Sequence, residues 1–400
     1  MMFKLYCRVF QIVMRIATYF LPWRKPQLLL GVNSIHRLPE LIKDKDIGRV
    51  LIVTDRVLPS LGLMDGLISE LNQLNIAYEV YDKTIPNPTI DNIEQALSLY
   101  KGNGCQAVIA FGGGSPIDCA KGVCARIAKP KKSITQLRGL LKIRKRTPLL
   151  FAGPTTSGTG SETTLAAVVT DSRTHEKYAL NDLSLIPRYA VLDPALTLNL
   201  PPHITSTTGM DALTHAVEAF IGRSNTRETK AMSKKAIALI FDNLETAYND
   251  GTSLEARENM QLASYYAGIA FTRAYVGSIH AIAHALGGLY STPHGLANAV
   301  ILPYVLQAYG TSVHKALSEL ADWVGLSSVD DSPAQKSEKF IGAVITMNQR
   351  MNIPAHIPEI EKKDFELIAK RAYREINPLY PVPKIFSKQE LVGIISAVKG

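Results

Sequence analysis

The order of short β-branched runs and helix-period segments between residues 49 and 128 constrains this chain more than any other feature. "RVLIVTD" (49–55), "AYEVYD" (77–82) and "CQAVIAF" (105–111) are brief apolar runs, which is the pattern of buried strands. Between and after them, "LGLMDGLISELNQLN" (61–75), "TIDNIEQALSLYKGNG" (89–104) and "SPIDCAKGVCARIA" (115–128) space their apolar residues as helices do. Strands alternating with helices pair in parallel through right-handed crossovers, so an α/β, doubly wound, mostly parallel sheet is expected. "PLLFAGPTT" and "YAVLDP" supply further strands. Past Pro201-Pro202 the character changes: "TSTTGMDALTHAVEAFIG", "ETKAMSKKAIALIFDNLETAYND", "ARENMQLASYYAGIAFTRA" and "SIHAIAHALGGLY" all read as helix. No strand is read from 206 to 400, and 327–336 reads as a polar loop. The expected organisation is an amphipathic arm (1–29), an α/β domain (30–203) and an all-helical domain (204–400). With 400 residues, 46% of them hydrophobic, the chain can bury more than one core without staples.

The arm stands apart. Residues 1–26 contain no acid, and Lys4, Arg8, Gln11, Arg15 and Thr18 recur at intervals of four and three, which draws one polar stripe along an otherwise apolar helix. Arg8 and Arg15 interrupt the run of about 20 apolar residues that a membrane span needs. Arg15 also breaks a signal-peptide core, and no A-x-A site follows. Two readings stay open: the helix packs on the body or on a second subunit, or it lies in a membrane surface.

A net charge of +9 raises the question of nucleic acid. The basic residues are spread out, however, and the run from Lys129 to Pro148 has no interleaved aromatic platform, so a solvated basic face is expected and no nucleic-acid partner. The cysteines are Cys7, Cys105, Cys119 and Cys124, with no C-x-x-C pair; a reducing compartment, the cytoplasm, is the expectation.

Four features carry chemistry. Gly112, Gly113, Gly114 and Ser115 lie between a strand and a helix, where backbone N–H groups and the helix dipole suit a phosphate; a plain tight turn is the alternative. Asp55 ends the first strand of the run, where a carboxylate can accept from a ribose hydroxyl and repel a 2′-phosphate. "PTTSGTGSE" (154–162) is a hydroxyl- and glycine-rich loop suited to a second nucleotide contact. The last feature is the strongest. Asp211 and His215 are four residues apart, as are His280 and His284, and His294 follows Pro293. One carboxylate and several imidazoles from such pairs make a sound shell for a divalent borderline metal with a position left for substrate. "HAIAH" has Ala281 where a zinc protease carries its catalytic glutamate, which argues against that class.

Taken in order, "LIVTD", "PNPT" (86–89), "GGGSPIDCAK", "PTTSGTGSE", "GMDALTHAVEAF", "HAIAHALGGLYSTPHGLANAVILP" and "NPLYPVPKI" resemble the iron-containing (group III) alcohol dehydrogenase family from about Gln27 to Gly400. The resemblance implies an N-terminal NAD-binding domain and a C-terminal metal-binding domain, with the active site in the cleft between them. It implies metal ligation by Asp211, His215, His280 and His294, with His284 beside the nicotinamide and substrate, where an imidazole is the candidate catalytic proton carrier. It implies pyrophosphate contact at Gly113, Gly114 and Ser115 with Asp118 nearby, adenosine ribose contact at Asp55 with Asn87 close by, a cleft lined by Thr155, Thr156 and Thr159, and cofactor contact at Lys177. "SETT" stands where the family more often has Ser-Glu-Val-Thr.

The expected function is NAD-dependent hydride transfer between a primary alcohol and its aldehyde with Fe²⁺, or Zn²⁺, which the same ligands suit. The resemblance also implies a homodimer. Weak contact of residues 1–26 with the inner membrane face accompanies the membrane reading of the arm. The alternative is a metal- and NAD-dependent lyase of the dehydroquinate-synthase type, which would need a basic cluster beside the histidine motifs; none is seen there.

Overall fold

The computed structural model describes residues 2–173 and 176–400. Its described residues form two compact units. One holds 22–199 and 252–261; the other holds the arm up to Leu21 together with 200–251 and 262–400.

The first unit is built on a six-stranded sheet. In chain order the strands are β1 (Gln27–Leu30), β2 (Arg49–Val53), β3 (Ala77–Tyr81), β4 (Ala107–Gly112), β5 (Gly139–Leu140), β6 (Leu149–Pro154), β7 (Ala166–Asp171), β8 (Glu176–Asn181) and β9 (Tyr189–Leu192). The sheet order is β1-β9-β6-β4-β2-β3, and every pairing in it is parallel. The central strands are buried on both faces, which is why they read as unbroken apolar runs rather than as alternation. Alternate residues enter separate cores: Leu51, Val53, Val108, Ala110 and Leu150 on one face, and Val50, Ile52, Ile109, Phe111 and Phe151 on the other. From β2 the chain runs outward to β3, then returns to lay β4 on the opposite side of β2. The winding thus reverses between β2 and β4, and the carboxyl ends of those strands are where open α/β sheets bind ligands.

A second, three-stranded sheet has the order β5-β8-β7. Its strands, and edge strand β1, escape the sequence reading for a physical reason. β7 and β8 bury only alternate residues, and their less buried positions include Thr170, Glu176, Lys177 and Asn181, which dilute the apolar signal; β1 and β5 are only four and two residues long.

The second unit is helical throughout its described residues. The helix Pro202–Ile221 is buried almost all round from Thr205 onward. Gly209 makes this possible, since a Cβ there would stand 2.3 Å from Leu244 Cδ1. The polar segment after residue 326 is shorter than expected, because a helix capped by Ser332 begins at Pro333.

The arm forms the helix Met2–Tyr19 and lies on the helical unit through its polar stripe. Arg8 donates to the carbonyls of Val382 (2.7 Å) and Pro383 (3.0 Å). Gln11 donates to those of Pro378 (3.1 Å) and Tyr380 (2.8 Å). Arg15 reaches the carbonyls of Arg223 and Asn225. No described helix is long and apolar enough to cross a membrane.

Candidate functional site

Three helices of the second unit converge their polar side chains on one point. Pro202–Ile221 presents Asp211 and His215, which lie one turn apart on a single face. Ser278–Tyr290 presents His280 and His284, and His294–Tyr309 begins with His294. One ligand atom each from Asp211, His215, His280 and His294 lies within 4.8 Å of the other three. The first three residues are buried, and the His294 side chain is 39% exposed. Gly295 brings the third helix in: a Cβ there would stand 2.4 Å from the Thr207 carbonyl oxygen, so only glycine lets His294 approach this closely.

The cluster is braced by a further layer of contacts. Glu218, one turn beyond His215 on the same helix, accepts from the backbone N–H of Gly277 (2.7 Å) and of Ile279 (2.8 Å), so it caps the start of the helix that carries His280. Its Oε2 also lies 2.7 Å from His280 Nδ1. Donation from Nδ1 turns the His280 lone pair at Nε2 toward the cluster. Burial and the neighbouring imidazoles hold His280 well below its usual range, so it is neutral. Burial pushes the Glu218 carboxyl up to about 7 against the pull of its N–H donors.

Asn298 Nδ2 stands 2.6 Å from Asp211 Oδ1, 3.1 Å from His280 Nε2 and 3.2 Å from His294 Nε2. An amide NH₂ has two hydrogens, and three acceptors are aimed at it. Asn298 Oδ1 is buried with no hydrogen-bond partner. Lone pairs that exceed the available protons at one buried point fit a cation, and one carboxylate with three imidazoles is a donor set for a divalent first-row metal.

His284 stands beside the four-residue cluster. Its ring stacks on His294 at 5.3 Å between centroids, and its Nδ1 lies 2.6 Å from Glu375 Oε1. The Tyr380 hydroxyl donates to the same oxygen at 3.0 Å. Phe271 stacks on His215 at 4.1 Å and closes that side of the cluster.

In the first unit, the glycine turn sits at the end of β4 and opens the helix Gly114–Ala128 with Gly113 at its N-cap. Gly112 has φ +143°, a conformation that demands glycine. A Cβ on Gly113 would lie 3.3 Å from Thr156 Oγ1, and one on Gly114 would lie 3.0 Å from Thr159 Cγ2. The turn is therefore pressed against the hydroxyl loop, with Thr155 N–H donating to the Gly112 carbonyl at 3.2 Å. Asn87, at φ +58°, donates its N–H to Ser115 Oγ at 3.1 Å. Asp55 follows β2, and its Oδ1 accepts from the N–H groups of Val57 (2.8 Å) and Leu58 (3.1 Å). The backbone around a helix N-terminus, stripped of side chains by glycine and bordered by hydroxyls, fits a dinucleotide phosphate.

Two residues sit differently. Asp118 has both oxygens engaged within the fold, one accepting from Ser161 Oγ (2.7 Å) and the other from Val168 N–H (3.1 Å), so it braces the hydroxyl loop to the helix. Lys177 lies half-buried in β8, and burial lowers its pKa.

Comparison with known proteins decides the family. Residues 26–194 match the model of iron-containing alcohol dehydrogenase, and residues 205–398 match that of the Fe-containing alcohol dehydrogenase family, C-terminal. The chain belongs to the iron-containing alcohol dehydrogenase family. It is 36% identical to alcohol dehydrogenase 4 of Saccharomyces cerevisiae over 384 residues, covering 95% of this chain and 98% of that protein. It is 31% identical to the NAD-dependent methanol dehydrogenase of Bacillus methanolicus, covering 95% and 99%. The solved structure of a 1,3-propanediol oxidoreductase superimposes with a TM-score of 0.91 at 33% identity, covering 94% of this chain and 99% of that one. The chain is accordingly an oxidoreductase of the alcohol dehydrogenase class.

For an iron-containing alcohol dehydrogenase, the sequence reading lacks the supporting layer. Glu218 and Asn298 had a local signal: they lie three residues after His215 and four after His294, on the ligand-bearing faces. Glu375 is 91 residues from His284 in the chain, and Tyr380 acts through it, so no spacing within one helix reveals either.

Proposed function

We propose that this chain is an NAD-dependent, Fe²⁺-dependent alcohol dehydrogenase and aldehyde reductase, moving hydride between a small primary alcohol and the nicotinamide. The observation that carries the reading is the convergence of Asp211, His215, His280 and His294 within 4.8 Å, with more lone pairs than protons at its centre. These four would hold the metal. Zn²⁺ suits the same donors, and iron is preferred on the family's name. When bound, the metal supplies Lewis acidity to the substrate oxygen and the dinucleotide supplies the hydride acceptor.

The protein's own groups do the rest. Gly113, Gly114 and Ser115 would cradle the pyrophosphate, with Thr155, Thr156 and Thr159 along its border and Lys177 as a further contact. Asp55, with Asn87 close to the turn, would meet the adenosine ribose. The B. methanolicus relative is named for NAD, and a carboxylate at Asp55 disfavours the extra phosphate of NADP. His284 donates Nδ1–H to Glu375, which makes Nε2 the ring's acceptor; the ring takes up the alcohol proton there, and Glu375 stabilises the imidazolium. Four free, buried cysteines suit a reducing compartment, and the reading includes a cytoplasmic homodimer, the expectation for the family.

The test is NADH oxidation with a panel of short aldehydes, comparing protein loaded anaerobically with Fe²⁺ and a chelator-stripped control. Turnover in the loaded protein alone is expected. Equal turnover in both would overturn the metal dependence, and turnover with NADPH alone would overturn the NAD assignment.

A further inference from the structure

The arm helix is mounted with its polar side inward. At 100° per residue, Gln11, Lys4, Arg15 and Arg8 fall within one sector, and three of these four spend their side chains on carbonyls of the body. Cys7, about 40° beyond Gln11 on the adjoining side, is buried. The opposite arc, about 140° wide, holds Tyr19, Ile12, Leu5, Ile16, Val9, Met2, Phe20, Val13 and Tyr6 with no polar residue among them save the two tyrosine hydroxyls. All nine are exposed, from 53% at Val9 to 87% at Met2. The usual surface helix turns its apolar face to the core, whereas this one offers it outward. A contiguous apolar face of this kind marks an interaction site rather than ordinary surface.

We propose that the outward face of the Met2–Tyr19 helix docks the enzyme on an anionic phospholipid surface, lying in the plane of the membrane. Charge and area argue for this occupant. Lys4 and Arg15 are exposed along one edge of this face, and residues 1–26 contain no acid, which suits anionic headgroups. Tyr19 and Tyr6 border the face with rings that favour the headgroup level. A second copy would set the face against itself, with Lys4 exposed on each arm and no acid within either arm to meet it. The face also offers nine residues, well short of the about 20–30 residues a side of a stable interface. A bilayer has no such limit, and an interfacial helix needs only about 5–10 Å of depth. The body keeps the polar stripe, so the arm need not rearrange to engage lipid.

The experiment uses the full chain with sedimenting vesicles of phosphatidylcholine alone or with phosphatidylglycerol, and the Ile12→Glu/Ile16→Glu variant. Both substitutions lie on the outward face, away from the contacts to the body and from the dehydrogenase site. The wild type should pellet with the anionic vesicles, less so as salt rises, and hardly with the zwitterionic ones. The double variant should lose binding at least about tenfold, since two carboxylates would enter the apolar layer, while keeping its circular dichroism spectrum and its turnover of a soluble aldehyde. Vesicle binding is read without substrate, so it fails or succeeds independently of the proposed reaction. Wild-type protein that stays in the supernatant, a variant that pellets as the wild type does, or equal binding to both vesicles would overturn the proposal. So would light scattering showing that the substitutions split a wild-type oligomer, because a second copy would then cover the face.

Discussion

The cluster of Asp211, His215, His280 and His294 and the turn at Gly112–Ser115 are built by opposite means. The cluster is made of side chains brought from three helices, three of the four held by another side chain: Glu218 on His280, and Asn298 on Asp211, His280 and His294. The turn is made of backbone within one short segment, and its neighbours matter mainly by staying out of the way, as Thr156 and Thr159 do beside Gly113 and Gly114. A site of the first kind fails when a side chain is removed. A site of the second kind fails when one is added.

Deleting a ligand should give the largest effect. Asp211→Ala removes the carboxylate of the four-residue cluster. Metal content, measured by mass spectrometry after desalting, should fall below detection, with activity falling by more than the about 10–100-fold typical of outer contacts. NADH binding, followed by fluorescence, should persist. Loss of NADH binding as well would mean that the two sites do not fail separately.

His284→Ala comes next. As a proton carrier His284 should contribute about 10²–10⁴-fold to kcat, with metal content unchanged. A variant that lost its metal instead would make His284 a ligand. Glu218→Gln should follow, lowering metal affinity about 10–100-fold. The amide still accepts from a backbone N–H but no longer holds His280 with a carboxylate, and a metal titration with wild-type affinity would reduce Glu218 to a helix cap.

Gly114→Ala is the test by addition. The new Cβ would meet Thr159 at 3.0 Å, tighter than ordinary van der Waals contact, and the turn or the hydroxyl loop must give by a few tenths of an ångström. KM for NADH should rise several-fold with metal content untouched, and Gly114→Ala/Thr159→Ser, which removes the methyl, should recover part of the loss. An unchanged KM would show that the phosphate does not use this part of the turn.

The contrast in construction also explains what the sequence made legible. Central strands β2, β4, β6 and β9 are buried on both faces, so their apolar runs announce themselves. β7 and β8 alternate, and polar residues mask them. Asp211 with His215, and His280 with His284, could be read because i, i+4 spacing is a property of a single helix; that His294 joins the cluster and His284 stands beside it comes from the resemblance. The glycine turn could be placed because a glycine run between strand and helix marks a sharp backbone turn, whether or not it holds a phosphate. Pairings across the chain, such as His284 with Glu375, depend on how helices pack, which spacing does not encode. The arm was half legible: its stripe of Arg8, Gln11 and Arg15 was plain, but a helical pattern alone does not say which side faces the protein. The carbonyls at 378–383 decide that, and they belong to a loop more than 360 residues away.

Asp55 combines both kinds of construction, and its replacement should give the smallest effect. Its Oδ1 caps the N–H groups of Val57 and Leu58, so removing the side chain would lose a cap worth about 1 kcal/mol along with any ribose contact. Asp55→Asn separates the two roles, because the amide oxygen still accepts from both N–H groups while the negative charge is gone. If that charge excludes a 2′-phosphate, the ratio of kcat/KM for NADPH over NADH should rise by up to about tenfold, or about 1.4 kcal/mol, with thermal stability nearly unchanged. Asp55→Gly should raise the ratio similarly but also lower the melting temperature. A ratio unmoved in both variants, with the melting temperature falling only in the glycine variant, would leave Asp55 as a cap alone and shift the ribose contact to another residue near the reversal between β2 and β4.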